Sequence, residues 1–227
     1  MSLHLEVCEI DGGTTPVEVA AEQVILVGYT GRDRAAVLEH IRELETLGVA
    51  PPERVPAVYT VASDLLTTEG RLVVPSTDTS GEAEFVVLDS PLGLLVGVGS
   101  DHTDRQHEAI DVAASKARCG KAISRQVWRL SAVEGHWDVL ELRAWSTSRD
   151  GRQLYQAGRL ESLMRVPDLL TEVAQAGFPD TLRRIVFGGT LPTMGGFQYG
   201  QRFEVELRDP VLDRVLQCTY DVVVDGA

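Results

Sequence analysis

Residues 82–105 read EAEFVVLDSPLGLLVGVGSDHTDR, and this stretch predicts both a sheet and a site. Glu82 and Glu84 stand one residue apart on a predicted strand, where alternate side chains point to the same face. The run at residues 92–99 carries no charge and predicts a strand buried on both faces. A polar cluster at residues 100–105 follows directly, and sites on sheet proteins tend to lie where such strands end.

Acidic side chains in this stretch indicate a metal site. Two like charges placed so close on a sheet need a neutralising group, and Asp101, at the end of the apolar strand, supplies a third carboxylate. Three oxygen ligands with room for water are typical of a Mg²⁺ or Mn²⁺ site. The alternative is that Glu82 and Glu84 lie on a solvated edge strand, since acidic residues are mostly exposed. The polar cluster after a buried strand favours the metal.

Length and composition limit the functional classes. The 227 residues allow one large domain or two small ones, and 44% hydrophobic with 24% charged residues is ordinary for a soluble globular protein. The net charge of −13 argues against nucleic acid and anionic membranes as partners. Three widely spaced cysteines, with no leader-like or membrane-spanning run, predict a reducing, cytoplasmic location.

Periodicity and turn residues predict many strands and about three helices. The helices are expected at residues 33–47, from 103 or 104 to 117, and at 166–176, with Gly48 as a C-cap of the first. The predicted strands cover residues 3–10, 17–27, 58–61, 71–74, 84–88, 92–98, 127–130, 139–145, 153–157, 184–187, 203–207 and 215–224. This alternation favours one α+β domain over residues 1–227, with the first fifty residues as a candidate small lobe.

Two basic or imidazole-bearing positions are candidates for catalysis. His40 and Glu43 share a face of the first predicted helix, where a carboxylate can raise the basicity of the imidazole; a solvated polar face is the alternative. Lys121, which follows Gly120, could stabilise a developing oxyanion or enolate, and Lys116 competes with it for this role.

Two further positions are candidates for substrate binding. Arg105 lies one helical turn after Asp101 and could clamp a substrate carboxylate with both prongs of its guanidinium, or only pair with Asp101 or Asp104. Thr190 lies in the glycine-rich residues 188–196, where backbone N–H groups and its hydroxyl could bind an anion. This segment lacks the lysine of a phosphate loop, and an ordinary turn is the alternative.

Other catalytic patterns are absent from the sequence, including G-x-S-x-G, H-E-x-x-H and cysteines at zinc-ligand spacing. Ser100, Asp101 and His102 are consecutive, so neighbouring side chains point to opposite sides of a strand and cannot form a triad directly. A metal-free hydrolase that uses Ser100 is therefore the least favoured hypothesis.

The order of the motifs resembles the fumarylacetoacetate hydrolase-like superfamily. The matching segments are H-x-x-E at residues 40–43, E-x-E at 82–84, Asp101 with an arginine four residues later, Gly120-Lys121, and the G-T-x-P of residues 189–192. Only 17 residues separate Glu84 from Asp101 (84 to 101), which predicts that a helix usual between the two strands is missing.

This resemblance implies an α+β fold, a strand-rich mixed β-roll of the fumarylacetoacetase C-terminal type with a few helices, usually in a homodimer. It implies an enzyme that cleaves, decarboxylates, isomerises or hydrates small oxo- or hydroxy-carboxylic acids. The implied roles are Mg²⁺ or Mn²⁺ binding by Glu82, Glu84 and Asp101, base catalysis by His40 with Glu43, charge stabilisation by Lys121 and Arg105, and substrate binding by Thr190. The alternative is a non-catalytic ligand-binding or scaffold protein that retains the fold.

Overall fold

The computed structural model describes residues 1–46, 50–180 and 183–226, and within helix residues 34–46 the side chains of His40 and Leu44 lie outside the described part. The strands in these ranges are β1 (Ser2–Cys8), β2 (Thr14–Ala20), β3 (Gln23–Gly28), β4 (Ala57–Val61), β5 (Leu66–Thr67), β6 (Arg71–Val74), β7 (Thr79–Ser80), β8 (Ala83–Ser90), β9 (Gly93–Asp101), β10 (Thr103–Asp104), β11 (Lys121–Ile123), β12 (Gln126–Arg129), β13 (Glu141–Ser148), β14 (Gly151–Arg159), β15 (Arg184–Thr190), β16 (Arg202–Asp209) and β17 (Arg214–Val224). The helices are α1 (Arg34–Thr46), α2 (Arg105–Glu108), α3 (Val112–Ala117) and α4 (Val166–Gln175), with 3₁₀ turns at Ser63–Leu65, Leu130–Ala132, Glu134–Val139 and Leu160–Ser162.

Most strands of the described chain belong to two sheets. The larger sheet has the order β2-β1-β12-β9-β8-β15-β3-β4, with β11 beside β9 and β5 beside β11, and it curls into a half-barrel. The second has the order β14-β13-β16-β17-β6, and β7 pairs with β10 separately. Parallel and antiparallel pairs occur in both large sheets. The predicted strand-rich, mixed α+β fold is confirmed.

The strands β8 and β9 form the centre of the curled sheet. They are antiparallel neighbours joined by a tight turn, in which Gly93 takes a φ of +89° that a residue with a side chain rarely adopts. Alternation along β8 sends Phe85 and Val87 into the layer between the two sheets, whereas Val86 and Leu88 face the inside of the curl. The predictions of a doubly buried strand and of a missing helix between the two strands are both confirmed.

The predicted strand at residues 17–27 is wrong, because the structure divides it into β2 and β3. The β2 segment pairs with β1, and Ala21 N–H donates to Met1 O to end that ladder. The β3 segment pairs with β15 and β4 instead. Side chains alternate in burial along β2, but residues 24–27 are all buried, so the break marks a change of partner strands.

The helix predicted to end at residue 117 is two short helices. The carboxylate of Asp104 accepts a hydrogen bond from His107 N–H and caps α2, as expected, and Asp111 caps α3 in the same way by accepting from Ala114 N–H. This second cap stops the first helix after one turn. The first predicted helix begins after Asp33, which caps α1; its expected end at Leu47 and cap at Gly48 lie outside the described residues.

None of the helices in the described ranges combines the length and apolarity that a bilayer span requires.

Candidate functional site

Strand register brings the acidic residues together at one end of the curled sheet. Lys121 on β11 pairs with Asp101 on β9, and Asp101 N–H donates to Glu82 O at 3.0 Å. The three side chains therefore lie in one row, and Glu84 lies two residues from Glu82 on the same face. One carboxylate oxygen each from Glu82, Glu84 and Asp101 lies within 4.8 Å of the other two. The sequence prediction that these carboxylates converge is confirmed in geometry; their role as metal ligands stays a prediction.

Two lysine ammonium groups contact this carboxylate cluster. The Nζ of Lys116, delivered by α3, lies 2.5 Å from Asp101 Oδ2 and 3.0 Å from Glu82 Oε2. The Nζ of Lys121 lies 2.9 Å from Asp101 Oδ1 and donates to His102 O at 2.6 Å. Burial opposes the ionisation of Asp101, but the two lysines lower its pKa to about 2. Burial likewise opposes the protonation of Lys116, but Asp101 and Glu82 raise its pKa well above the usual value.

Arg105 braces the outer side of the cluster. Its Nη1 donates to Glu82 Oε1 at 3.0 Å and to Glu108 Oε2 at 2.8 Å, while its Nε donates to Ser80 Oγ at 2.6 Å. The guanidinium also stacks over the ring of Phe197, 4.1 Å from its centroid. Of the alternatives left open by the sequence, pairing of Arg105 with Asp101 or Asp104 is therefore not found.

Two buried polar atoms of the cluster have no hydrogen-bond partner within the described structure. One is Asp101 Oδ1, although it lies 2.9 Å from the Lys121 ammonium and is ion-paired with it. The other is Arg105 Nη2, on a side chain that is only 3% exposed. A buried group with no partner is costly unless something satisfies it, so Arg105 Nη2 indicates room for a further ligand.

Glu84 carries the unbalanced charge of the site. Its Oε2 accepts from Gly189 N–H at 2.6 Å, at an irregular step in the β15–β8 pairing, and Gly189 has a φ of +94° there. Burial, followed by the charges of Asp101 and Glu82, raises the pKa of Glu84 well above its ordinary range. Around it the cluster holds three further carboxylates, since Glu108 joins Glu82 and Asp101, and three cationic side chains. These six charges balance, so an ionised Glu84 would add one uncompensated negative charge.

Thr190 lies directly beyond this step. Its hydroxyl donates to Ala83 O at 2.8 Å and accepts from Gln156 Nε2 at 2.7 Å. The same Gln156 accepts from Ala83 N–H at 2.9 Å. Gln156 therefore ties the end of β15 to the start of β8, and the predicted substrate-binding role of Thr190 stays a prediction.

The remaining sequence candidates lie in α1. His40 and Glu43 are three residues apart in this helix and Glu43 is exposed, but the His40 side chain lies outside the described residues. The predicted pair of base and carboxylate therefore stays a prediction.

The two neighbours of Asp101 point to the opposite face, as predicted. Ser100 Oγ and His102 Nδ1 both contact the Tyr220 hydroxyl, at 2.8 and 2.9 Å, and His102 Nε2 contacts Thr79 Oγ1 at 2.9 Å. Burial, with help from the charge of Lys121, lowers the pKa of His102 to about 3, so its imidazole is neutral. This network joins the two sheets on the face of β9 opposite to the Asp101 side chain.

A family model described as "Protein of unknown function (DUF2848)" matches residues 27–220, which is most of the chain and includes every acidic residue of the cluster. The chain belongs to the DUF2848 family. No curated protein sequence matches it.

Solved structures similar to this DUF2848 member are enzymes of the fumarylacetoacetate hydrolase superfamily. A 5-carboxymethyl-2-hydroxymuconate delta-isomerase from Mycobacterium smegmatis is 17% identical, with a TM-score of 0.61 and coverage of 94% of this chain and 84% of that one. A maleylpyruvate hydrolase from Sphingobium sp. SYK-6 is 15% identical, with a TM-score of 0.61 and coverage of 90% and 71%. A candidate fumarylacetoacetate isomerase/hydrolase from Oleispira antarctica is 16% identical, with a TM-score of 0.60 and coverage of 94% and 97%. The predicted superfamily resemblance is confirmed in the fold.

Sequence reasoning underestimated Lys116, which it weighed only as a competitor of Lys121, and it missed Glu108. A signal for Lys116 exists in the DUF2848 sequence: Lys116 and Lys121 are the only lysines, against 19 arginines. Lysines are mostly surface residues, but the basic surface residues of this chain are arginines. The two lysines are therefore candidates for a specific role in a site. Glu108 is signalled by its position three residues after Arg105, on one helical face.

Tyr29 borders the cluster from another side. Burial raises its pKa to about 12, and Glu108 and Lys116 lie near enough to influence it. The same tyrosine lines a cavity of about 230 Å³, whose wall also includes Arg34 and Asp168. The three carboxylates do not line this cavity, so Tyr29 stands between the cavity and the charged cluster.

Proposed function

We propose that this DUF2848 member is an enzyme for small oxo- or hydroxy-carboxylic acids that uses a divalent cation bound by Glu82, Glu84 and Asp101. The observation that carries the proposal is the convergence of these three carboxylates at the end of β8 and β9, beside the unpartnered Nη2 of Arg105. The similar solved structures support it, because their names describe an isomerase and a hydrolase of small carboxylic acids.

The donor set fits Mg²⁺ or Mn²⁺. All three groups offer hard oxygen atoms, which these ions prefer, and three carboxylates leave positions for water or substrate. An added cation would also favour the ionised form of Glu84, because it would offset the repulsion from Asp101 and Glu82. The group that a metal ion would meet in this site is the ammonium of Lys116, which contacts two of the three carboxylates.

Glu82, Glu84 and Asp101 would hold the ion, which would supply Lewis-acid polarisation of a substrate carbonyl, a contribution of several kcal/mol. Arg105 offers its unpartnered Nη2 to the carboxylate of such a substrate, while its other nitrogens keep it fixed to Ser80, Glu82 and Glu108. Lys121 orients Asp101, and Gly189 N–H orients Glu84.

The superfamily resemblance assigns proton transfer to His40 with Glu43. It also assigns the binding of a substrate oxygen to Thr190. Thr190 already donates its hydroxyl hydrogen to Ala83 O, so it would bind a substrate hydroxyl as an acceptor. The reaction within the class, whether carbon–carbon cleavage, decarboxylation, isomerisation or hydration, follows from the substrate that fits.

A substrate screen tests the proposal. Small 2-oxo, 2,4-dioxo and hydroxy acids are incubated with the protein in Mg²⁺, in Mn²⁺ and in a chelator, beside Glu84→Gln and the matched control Glu206→Gln on β16. We expect turnover that the chelator and Glu84→Gln abolish and that Glu206→Gln leaves unchanged. Tight binding of an acid without any turnover would instead favour the non-catalytic ligand-binding alternative, and turnover in the chelator would contradict the metal role.

A further inference from the structure

The ammonium of Lys116 occupies the edge of the carboxylate cluster that a metal ion would share. Its Nζ contacts Asp101 Oδ2 at 2.5 Å and Glu82 Oε2 at 3.0 Å, so it uses lone pairs of two of the three proposed metal ligands. Its side chain is only 8% exposed. This lysine is therefore a built part of the cluster.

A metal ion and this ammonium would be close neighbours of like charge. An ion bound to Asp101 Oδ2 at about 2.1 Å could lie no farther than about 4.6 Å from the Nζ of Lys116. At such a separation inside a protein, the repulsion between a divalent and a monovalent cation is strong. The two cations therefore disfavour each other at the same carboxylates.

The two lysines differ in how firmly they are held. Lys121 is fully buried, extends from strand β11 and donates to His102 O as well as contacting Asp101. Lys116 has only the two carboxylates as hydrogen-bond partners among the described residues. Glu108 lies near enough to attract its ammonium, which offers Lys116 an alternative partner when it leaves.

We propose that Lys116 and a divalent cation compete for the Glu82 and Asp101 carboxylates, so that metal binding displaces the Lys116 ammonium from the cluster. Lys116 then acts as an internal counter-ion that keeps the metal-free site folded and sets its affinity for the ion. The inference rests on the proposed metal site and adds Lys116 as a residue that weakens metal binding there.

Titration with Mn²⁺, followed by the electron paramagnetic resonance signal of the free ion, tests the competition. The proteins are the natural chain, Lys116→Met, and Arg118→Met as the matched control. Arg118 lies two residues away and pairs with Asp104 outside the cluster, so its loss changes the net charge equally. We expect Lys116→Met to bind Mn²⁺ at least about tenfold more tightly, and Arg118→Met to stay within about twofold of the natural chain.

The outcomes separate the inference from the proposed function. Equal or weaker Mn²⁺ affinity in Lys116→Met, with clear binding by the natural chain, would overturn the competition and leave the metal site intact. Absence of Mn²⁺ binding in both proteins would overturn the competition together with the metal site.

A second measurement uses the unmodified protein and covers the case in which Lys116→Met does not fold. Lys116 and Lys121 are the only side-chain amines, so an amine-acetylating reagent and peptide mass spectrometry report on each separately. We expect saturating Mn²⁺ to raise the acetylation rate of Lys116 several-fold and to leave that of Lys121 unchanged. An unchanged or lower rate at Lys116 would contradict its displacement.

Discussion

Asp101 and Asp209 are both fully buried aspartates, but Asp209 accepts four hydrogen bonds whereas Asp101 lies among other carboxylates. Asp209 Oδ1 accepts from His136 Nε2 and from two backbone N–H groups, and its Oδ2 accepts from Arg214 Nε at 3.2 Å. Arg214 keeps one unpartnered nitrogen but stacks over the ring of Trp128. This aspartate closes the turn between β16 and β17.

Asp101 lies instead beside two other carboxylates, and each of its oxygens contacts a lysine ammonium group. Burial, followed by repulsion from Asp101 and Glu82, raises the pKa of Glu84 in this cluster. A satisfied ion pair such as that of Asp209 stabilises the fold, whereas unbalanced buried charge is typical of a functional site. From this comparison we expect Asp209 to contribute to stability and the Asp101 cluster to bind a ligand.

The largest expected effect is on activity in Glu84→Gln. The substitution keeps the hydrogen bond from Gly189 N–H but removes the charge of a proposed metal ligand. We expect kcat/KM at saturating Mg²⁺ to fall at least about 10³-fold, equivalent to about 4 kcal/mol. Steady-state kinetics on any substrate found by the screen measures this, with Glu206→Gln as control. Retained activity in Glu84→Gln would contradict the expectation that the Asp101 cluster serves binding while Asp209 serves stability.

The second effect is on stability in Asp209→Asn. The amide cannot satisfy Arg214, His136 and the turn together, so we expect the free energy of unfolding to fall by about 3 kcal/mol. Urea denaturation measures it, and the activity of the folded fraction should not change. Asp221→Asn is the control, because Asp221 forms an exposed pair with Arg202 and should have little effect. If Asp209→Asn lowered the activity and left the stability unchanged, Asp209 would belong to the functional site and not to the contacts that stabilise the fold.

The third prediction is that Glu84→Gln stabilises the metal-free protein. Without metal, Glu84→Gln should raise the free energy of unfolding by about 1–2 kcal/mol at pH 8, because it removes a buried carboxylate whose charge is opposed. The pKa of Glu84 is higher in the folded protein than its unfolded value of 4.5. Protonated Glu84 therefore stabilises the fold fully below pH 4.5, and this contribution is lost as the pH rises through the folded-state pKa. The gain should therefore vanish near pH 4. Denaturation in a chelator at both pH values tests this, and equal gains would contradict the assigned cause.

The smallest effect is expected in His136→Gln. His136 supplies one of four hydrogen bonds to Asp209, so its loss should cost only about 1 kcal/mol of unfolding free energy. Thermal denaturation beside Asp209→Asn measures the ratio. A loss as large as that of Asp209→Asn would mean that the imidazole, and not the whole set of donors, holds the aspartate.

The part of the site that the sequence predicts is the part set by local register. Alternation places Glu82 and Glu84 on one face, and the short spacing to Asp101 leaves room only for a hairpin, so the three carboxylates had to meet. The strand-rich fold follows from the same patterns. These features need no knowledge of distant contacts.

Features set by distant contacts could not be predicted in this way. Lys116 reaches the cluster because α3 packs against it after a second cap at Asp111 ends the previous helix. The strand at residues 17–27 breaks because β3 pairs with β15, far along the chain. The roles of His40 and Glu43, the homodimer, and the small N-terminal lobe stay predictions.

A crystal structure grown with MnCl₂, with anomalous diffraction measured for manganese, tests the central claim most directly. The account predicts one anomalous peak bonded to Glu82, Glu84 and Asp101 at about 2.2 Å, with the Lys116 ammonium moved out of contact with Asp101. A peak elsewhere, or no peak while Lys116 still bridges Glu82 and Asp101 at saturating Mn²⁺, would contradict it.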